Sequence, residues 1–130
     1  MSYQHAVVWV DHQHATVIDY SFDDQHVVEI EREGGQRKVH RRSGVPGPGK
    51  APVDHQYYDE IAAALRGVRE VLIVGPGAAK HELQHELQAR HAAVAKSVVG
   101  VEAADHPSAG ELLAFAKKYF KRIDALLGDA

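Results

Sequence analysis

The chain contains no cysteine, which excludes disulfide staples, thiolate metal sites and thiol nucleophiles. That absence also fits a reducing compartment, and a cytoplasmic location is expected. Nowhere do apolar residues run to the ~18 in succession that a membrane span needs, so no membrane partner is expected. The opening Met1-Ser2-Tyr3-Gln4-His5 carries no basic stretch, and the apolar run behind it stops at Asp11. A signal peptide is therefore not legible. An excess of positive charge is missing too, since the net charge is −3 with histidines neutral. A globally basic nucleic-acid-binding protein is excluded, and any basic site has to be a local patch. Ten histidines make the charge sensitive to pH below neutrality.

What is present suits one folded domain. The 130 residues are 45% hydrophobic and 25% charged, which is enough to bury a core without staples. The expected domain spans 1–130.

Ala6-Val7-Val8-Trp9-Val10 is a continuous apolar, β-branched run and predicts a central strand buried on both faces. Asp11 to His14 turns the chain, and Ala15–Tyr20 resumes strand chemistry, giving a hairpin. After a turn at 22–25, His26–Glu31 predicts a half-buried strand with Val28 and Ile30 on one face. Gly34-Gly35-Gln36 is a two-glycine turn signal, with a further polar strand expected at Arg37–Arg42. Residues 43–52 hold three glycines and three prolines and predict a flexible loop. Asp54 is placed to cap a helix whose Tyr57, Tyr58, Ile61, Ala62 and Leu65 recur at helical spacing, ending at Gly67. Val71–Val74 predicts a buried parallel strand, and Gly75-Pro76-Gly77 turns into a helix from Ala78 to about His91. Val98–Val101 is another short strand. Pro107 suits the start of a last helix with a broad apolar face.

The order β-β-β-α-β-α-β-α predicts an α/β, ribonuclease-H-like mixed sheet, strand order 3-2-1-4-5, with helices on both faces. This order resembles the small bacterial proteins labelled translational machinery proteins, themselves similar to the middle domain of archaeal and eukaryotic peptide-chain release factors. The matching residues are Ala6–His12, the Gly-rich loop before Tyr57-Tyr58, the strand–Gly75-Pro76-Gly77–Lys80 junction, and Val99–Glu102 leading to Asp105-His106-Pro107. The resemblance implies a ribonuclease-H-like core without nuclease activity. In release factors a Gly-Gly-Gln loop between third strand and first helix promotes peptide release. Here Gly34-Gly35-Gln36 is expected as a turn between strand-like segments on backbone grounds. The equivalent loop, Gly44–Lys50, has no glutamine, so the releasing role is not carried over.

His81-Glu82-Leu83-Gln84-His85 matches the HExxH pattern of zinc proteases, and His91 stands where a third ligand would fall. Gln88 replaces the glycine of the longer motif, and the only methionine is Met1. Leu83 and Leu87 mark the buried face, and His81 and His85 lie about 160° from it at 100° per residue. Both histidines are expected on the solvent side, with at most adventitious metal. A second metal alternative is a nuclease-like hydrolase using the strand-end carboxylates Asp11, Glu102 and Asp105. The fourth strand offers Gly-Pro-Gly in place of an acid, so this set is incomplete. Asp11 is expected to shape a turn and Asp105 to cap the last helix.

Two binding features remain. Gly75, Gly77 and Lys80, joined by His12 and His106, form a candidate anion site at the start of the second helix. Arg37, Lys38, Arg41, Arg42 and Lys50, with His40, put five firm positive charges within fourteen acid-free residues. That patch suits contact with an RNA backbone. No aromatic is interleaved, so base stacking is not supported. The expected function is a non-catalytic, translation-associated binding domain that needs no cofactor and contacts RNA or a ribosome-linked partner. The alternatives are the metal-dependent hydrolase and a protein–protein adaptor.

Overall fold

The computed structural model describes residues 4–21, 24–32 and 54–126. Strands β1 (His5–Val10), β2 (His14–Tyr20) and β3 (Gln25–Glu31) precede helix α1 (His55–Leu65). Strand β4 (Glu70–Gly75), helices α2 (Ala79–Arg90) and α3 (Ala92–Ala95), strand β5 (Val98–Ala103) and helix α4 (Ala109–Leu126) follow. The sheet order is β3-β2-β1-β4-β5. The first three strands pair antiparallel, and β4 runs parallel to both β1 and β5. This is the five-stranded mixed sheet anticipated from the sequence, with helices on both faces. Among the described residues no helix is long and apolar enough to cross a membrane.

Alternation along β1 divides the core. Ala6, Val8 and Val10 face a cluster with Ile61 and Leu65 of α1 and Leu83 and Leu87 of α2. Val7 and Trp9 face the other way, against Leu112, Ala116 and Phe120 of α4. Strand side chains point alternately to opposite faces, so one apolar run serves both cores. Each fully buried Val, Leu or Ile contributes about 1.5–3 kcal/mol.

Helix ends follow local chemistry. Asp54 caps α1 by accepting a hydrogen bond from the Tyr57 amide. Gly67, at φ 86°, takes the left-handed backbone that lets the chain leave that helix. At α4 the cap is Ser108, not Asp105. Ser108 Oγ accepts from the Glu111 amide at 3.1 Å, and Glu111 Oε1 accepts from the Ser108 amide at 2.9 Å. This reciprocal pair displaces the expected start by placing Pro107 ahead of the cap. The single turn α3 was not anticipated, because four residues of Ala-Ala-Val-Ala carry no periodicity to read. Residues 33–53 lie outside those described, and with them the strand expected at 37–42 and the loop at 43–52.

One buried charge lies in the sheet. Asp19, opposite Ala6 in β1 and His26 in β3, is 6% exposed. Its Oδ2 lies 3.9 Å from His26 Nδ1, while Oδ1 has no hydrogen-bond partner among the described residues. Burial raises its pKa above the ordinary carboxyl value, and the charge of His26 offsets part of that rise. Because the folded state then holds the proton more tightly than the unfolded chain, this group's contribution falls as pH climbs from roughly 4 through the raised value. At neutral pH the buried carboxylate is a net cost. Asp19→Asn is therefore expected to stabilise the domain by about 1 kcal/mol at pH ~7, an advantage that fades as pH falls through the raised value toward roughly 4. Urea denaturation across pH checks it, and a destabilised variant at neutral pH would contradict the assignment.

Candidate functional site

The parallel register sets Trp9 beside Val74 and Val74 beside Glu102. Asp11, the 75–77 turn and the 104–106 segment therefore meet along one rim, at the carboxyl ends of β1, β4 and β5. Ligands of open α/β sheets bind at such an edge. β3 runs in the same direction as β1, so its end and the start of α1 reach the rim as well.

The β1–β2 turn is built by Asp11. Its Oδ1 accepts hydrogen bonds from the amides of Gln13 and His14, both at 2.8 Å. Tyr57 of α1 donates its hydroxyl to the Asp11 carbonyl at 2.9 Å. Burial first, then the charge of Asp11, pushes the Tyr57 phenol well above its usual range, so it stays a neutral donor. Arg32, just past β3, donates from Nε to Asp54 Oδ2 at 3.0 Å and from Nη1 to the His12 carbonyl at 3.3 Å. Arg32 precedes the 33–53 stretch and Asp54 follows it, so this ion pair closes the base of that connection at the rim.

The residues expected to hold an anion share the rim, but their side chains diverge. Lys80 is buried, and its Nζ donates to the Gly77 carbonyl. Gly75 is needed for packing, because a Cβ there would collide with the Val10 carbonyl of β1. Gly77 faces open space. His12 lies toward α2, its Nε2 3.6 Å from Glu82 Oε1. His106 packs on Trp9 beside α4, with ring centroids 5.0 Å apart.

The HExxH residues are on α2 with the orientation the apolar pair dictates: Leu83 and Leu87 are fully buried, and His81 and His85 are exposed. Glu82 is not free to serve as a base, since it accepts the Tyr58 hydroxyl at 2.6 Å. His91 turns to Asp59, Nε2 to Oδ1 2.7 Å. Arg90 joins the same carboxylate at 2.8 Å, and these two partners hold Asp59 below its usual pKa. The carboxylates Asp11, Glu102 and Asp105 stay apart. Asp11 is occupied by its turn, Asp105 lies in solvent beside His106, and Glu102 borders a groove with Tyr119 and Arg122. Among the described residues neither set forms a group able to hold a metal ion.

One feature of the rim escaped the sequence. Trp9 stands between the rings of His14 and His106, each 5.0 Å away, and donates Nε1 to the Asp105 carbonyl at 2.6 Å. Thr16 and Glu29, linked at 2.9 Å, complete the wall of a cavity of about 190 Å³. It adjoins a second of about 340 Å³ that reaches Phe115. Hairpin register could have revealed the Trp9–Thr16–Glu29 row, but the contact with His106 spans the chain and has no local signal.

No protein-family model and no curated protein matches the chain. Solved structures share its fold. It is similar to Archaeoglobus fulgidus Pelota at 16% identity and TM-score 0.60, over 91% of this chain and 32% of that one. Thermoplasma acidophilum Pelota gives 19% and 0.59, over 84% and 30%. An archaeal translation termination factor gives 16% and 0.55, over 95% and 39%. The chain thus spans about a third of the length of these proteins. Of the resemblance expected from the element order, the likeness to an archaeal termination factor is present in the fold.

The rim glycines provide a test of geometry. Gly75→Ala is expected to cost about 1–3 kcal/mol through overpacking against β1, whereas Gly77→Ala should change stability by less than about 1 kcal/mol. Chemical denaturation of the two variants checks the contrast, and equal effects would contradict the close approach at Gly75.

Proposed function

We propose that this domain is a non-catalytic, translation-associated binding module that contacts RNA, free or within the ribosome, through Arg37, Lys38, Arg41, Arg42 and Lys50. The observation that carries the reading is the Arg32–Asp54 pair at 3.0 Å. It ties both ends of the segment holding those cations to the rim where α/β sheets receive their partners. Closing a long connection at its base reduces the entropy that ordering it on a partner would otherwise cost. The segment concentrates positive charge in a chain whose net charge is −3, so attraction to phosphate would be local and salt-dependent.

Support also comes from the fold shared with Pelota and an archaeal termination factor, and from the motif resemblance to translational machinery proteins. In this reading His12, His106 and the open face at Gly77 share the rim to which Arg32 and Asp54 belong. Lys80, committed to the Gly77 carbonyl, takes a supporting part. The hydrolase alternative draws no support from the geometry, because its carboxylates are engaged elsewhere or stand apart.

Sedimentation with polysomes, with and without ribonuclease, tests the proposal. The Arg37→Glu/Arg41→Glu/Arg42→Glu variant is expected to lose association. With single-stranded RNA its log–log salt slope should be shallower by about 2, for three lost phosphate contacts. Unchanged association in a variant with native circular dichroism would refute the reading.

A further inference from the structure

At the end of the sheet opposite the rim, three strands and one helix bring together a different set of groups. His5 of β1 pairs with Tyr20 of β2 on one side and Glu70 of β4 on the other. The three form a row across the sheet on the face that α4 covers. Asp124, one helical turn beyond Phe120, comes down onto that row. His5 Nε2 is 3.0 Å from Glu70 Oε1 and 3.9 Å from Asp124 Oδ2, and the three ligand atoms all lie within 4.8 Å of one another. The imidazole is held in place by Phe120, at 4.5 Å, and by stacking on Tyr20, at 5.3 Å.

Buried polar atoms in folded proteins are normally hydrogen-bonded. Among the described residues the buried Tyr20 Oη has no hydrogen-bond partner, and His5 Nε2 and Glu70 Oε1, though 3.0 Å apart, lack hydrogen-bond geometry and meet only as an ion pair. Their coincidence at one place points to a group that would satisfy them together. The charges say which kind. Two carboxylates face one imidazole, which leaves the cluster negative even if His5 is protonated. Lys117 lies over the Tyr20 ring at 5.8 Å. Tyr20 is 6% exposed; burial, then the charges of Asp124 and Glu70, pushes its phenol up, so it can donate a hydrogen bond but cannot neutralise them.

We propose that His5, Glu70 and Asp124 bind a divalent transition-metal cation, with the Tyr20 hydroxyl as a hydrogen-bonding partner of the bound carboxylates, and that the ion clips α4 onto β1 and β4. Zinc–ligand bonds of ~2.0–2.2 Å put neighbouring donors of a tetrahedral site roughly 3.3–3.6 Å apart. Two of the three pair distances, 3.0 and 3.9 Å, bracket that spacing, and the third is within 4.8 Å. One imidazole with two carboxylates suits Zn²⁺ or Mn²⁺, in the absence of any thiolate. The fourth position is left to water. The ion binds at the end of the sheet opposite Arg32 and Asp54 and is independent of the RNA-binding reading.

Calorimetric titration of the full chain with Zn²⁺ and Mn²⁺ tests the proposal, with thermal unfolding as a second readout. One equivalent is expected to bind and to raise the unfolding midpoint. Binding should survive His81→Ala/His85→Ala and weaken about tenfold or more in His5→Gln and Asp124→Asn. Asp124→Asn, on a half-exposed helix position, keeps the test decisive if His5→Gln does not fold. The proposal is overturned if neither ion binds, if binding is unchanged in Asp124→Asn, or if it vanishes with His81 and His85, which would mark surface capture only.

Discussion

Strand β1 has hydrogen-bonded neighbours on both edges and a core on both faces. Ala6, Val7, Val8 and Val10 have no exposed surface, and Trp9 has 4%. A strand apolar on successive residues can be buried only if both of its faces are covered, and its backbone groups must be paired on both sides. That double requirement places β2 on one edge and β4 on the other, with α1 and α2 above and α4 below. The hairpin half of the chain and the alternating half are joined at this seam. Without it neither half has a partner for its apolar face.

Several polar residues at the rim hold this arrangement together. Asp11 shapes the β1–β2 turn, Tyr57 locks that turn to α1, and Ser108 with Glu111 opens α4. Glu82 and His91, two members of the zinc-like pattern, brace α2 against α1 through Tyr58 and Asp59. A motif that suggests catalysis is thus divided by helix geometry into an exposed pair of histidines and two structural ties. The Arg32–Asp54 pair belongs to the same set of ties, and it also joins the two ends of the 33–53 connection at the rim.

The two ends of the sheet differ in chemistry. At the rim, the buried polar atoms of the described residues find partners, and the ring of Trp9 lies between two histidines over a shallow groove. At the far end, Tyr20 Oη has no hydrogen-bond partner and His5 and Glu70 meet only as an ion pair, while Asp19, next to Tyr20 on β2, carries another unpaired oxygen. The Trp9 groove and the His5 cluster therefore lie at opposite ends of the sheet, with β1 running between them.

Sequence alone determined what depends on neighbours along the chain. The apolar run of β1, the Asp54 cap, the strand–Gly-Pro-Gly junction and the Leu83–Leu87 face each follow from short-range periodicity or steric rules, and together they imply the strand order. Tertiary structure decided every site that joins distant residues. Trp9 meeting His106, Lys80 folding back on Gly77, Gly75 yielding to the Val10 carbonyl, and His5 gathering Tyr20, Glu70 and Asp124 depend on register and helix placement. A periodic pattern assigns a residue to a face, but the distance between two side chains is set only when separate elements pack.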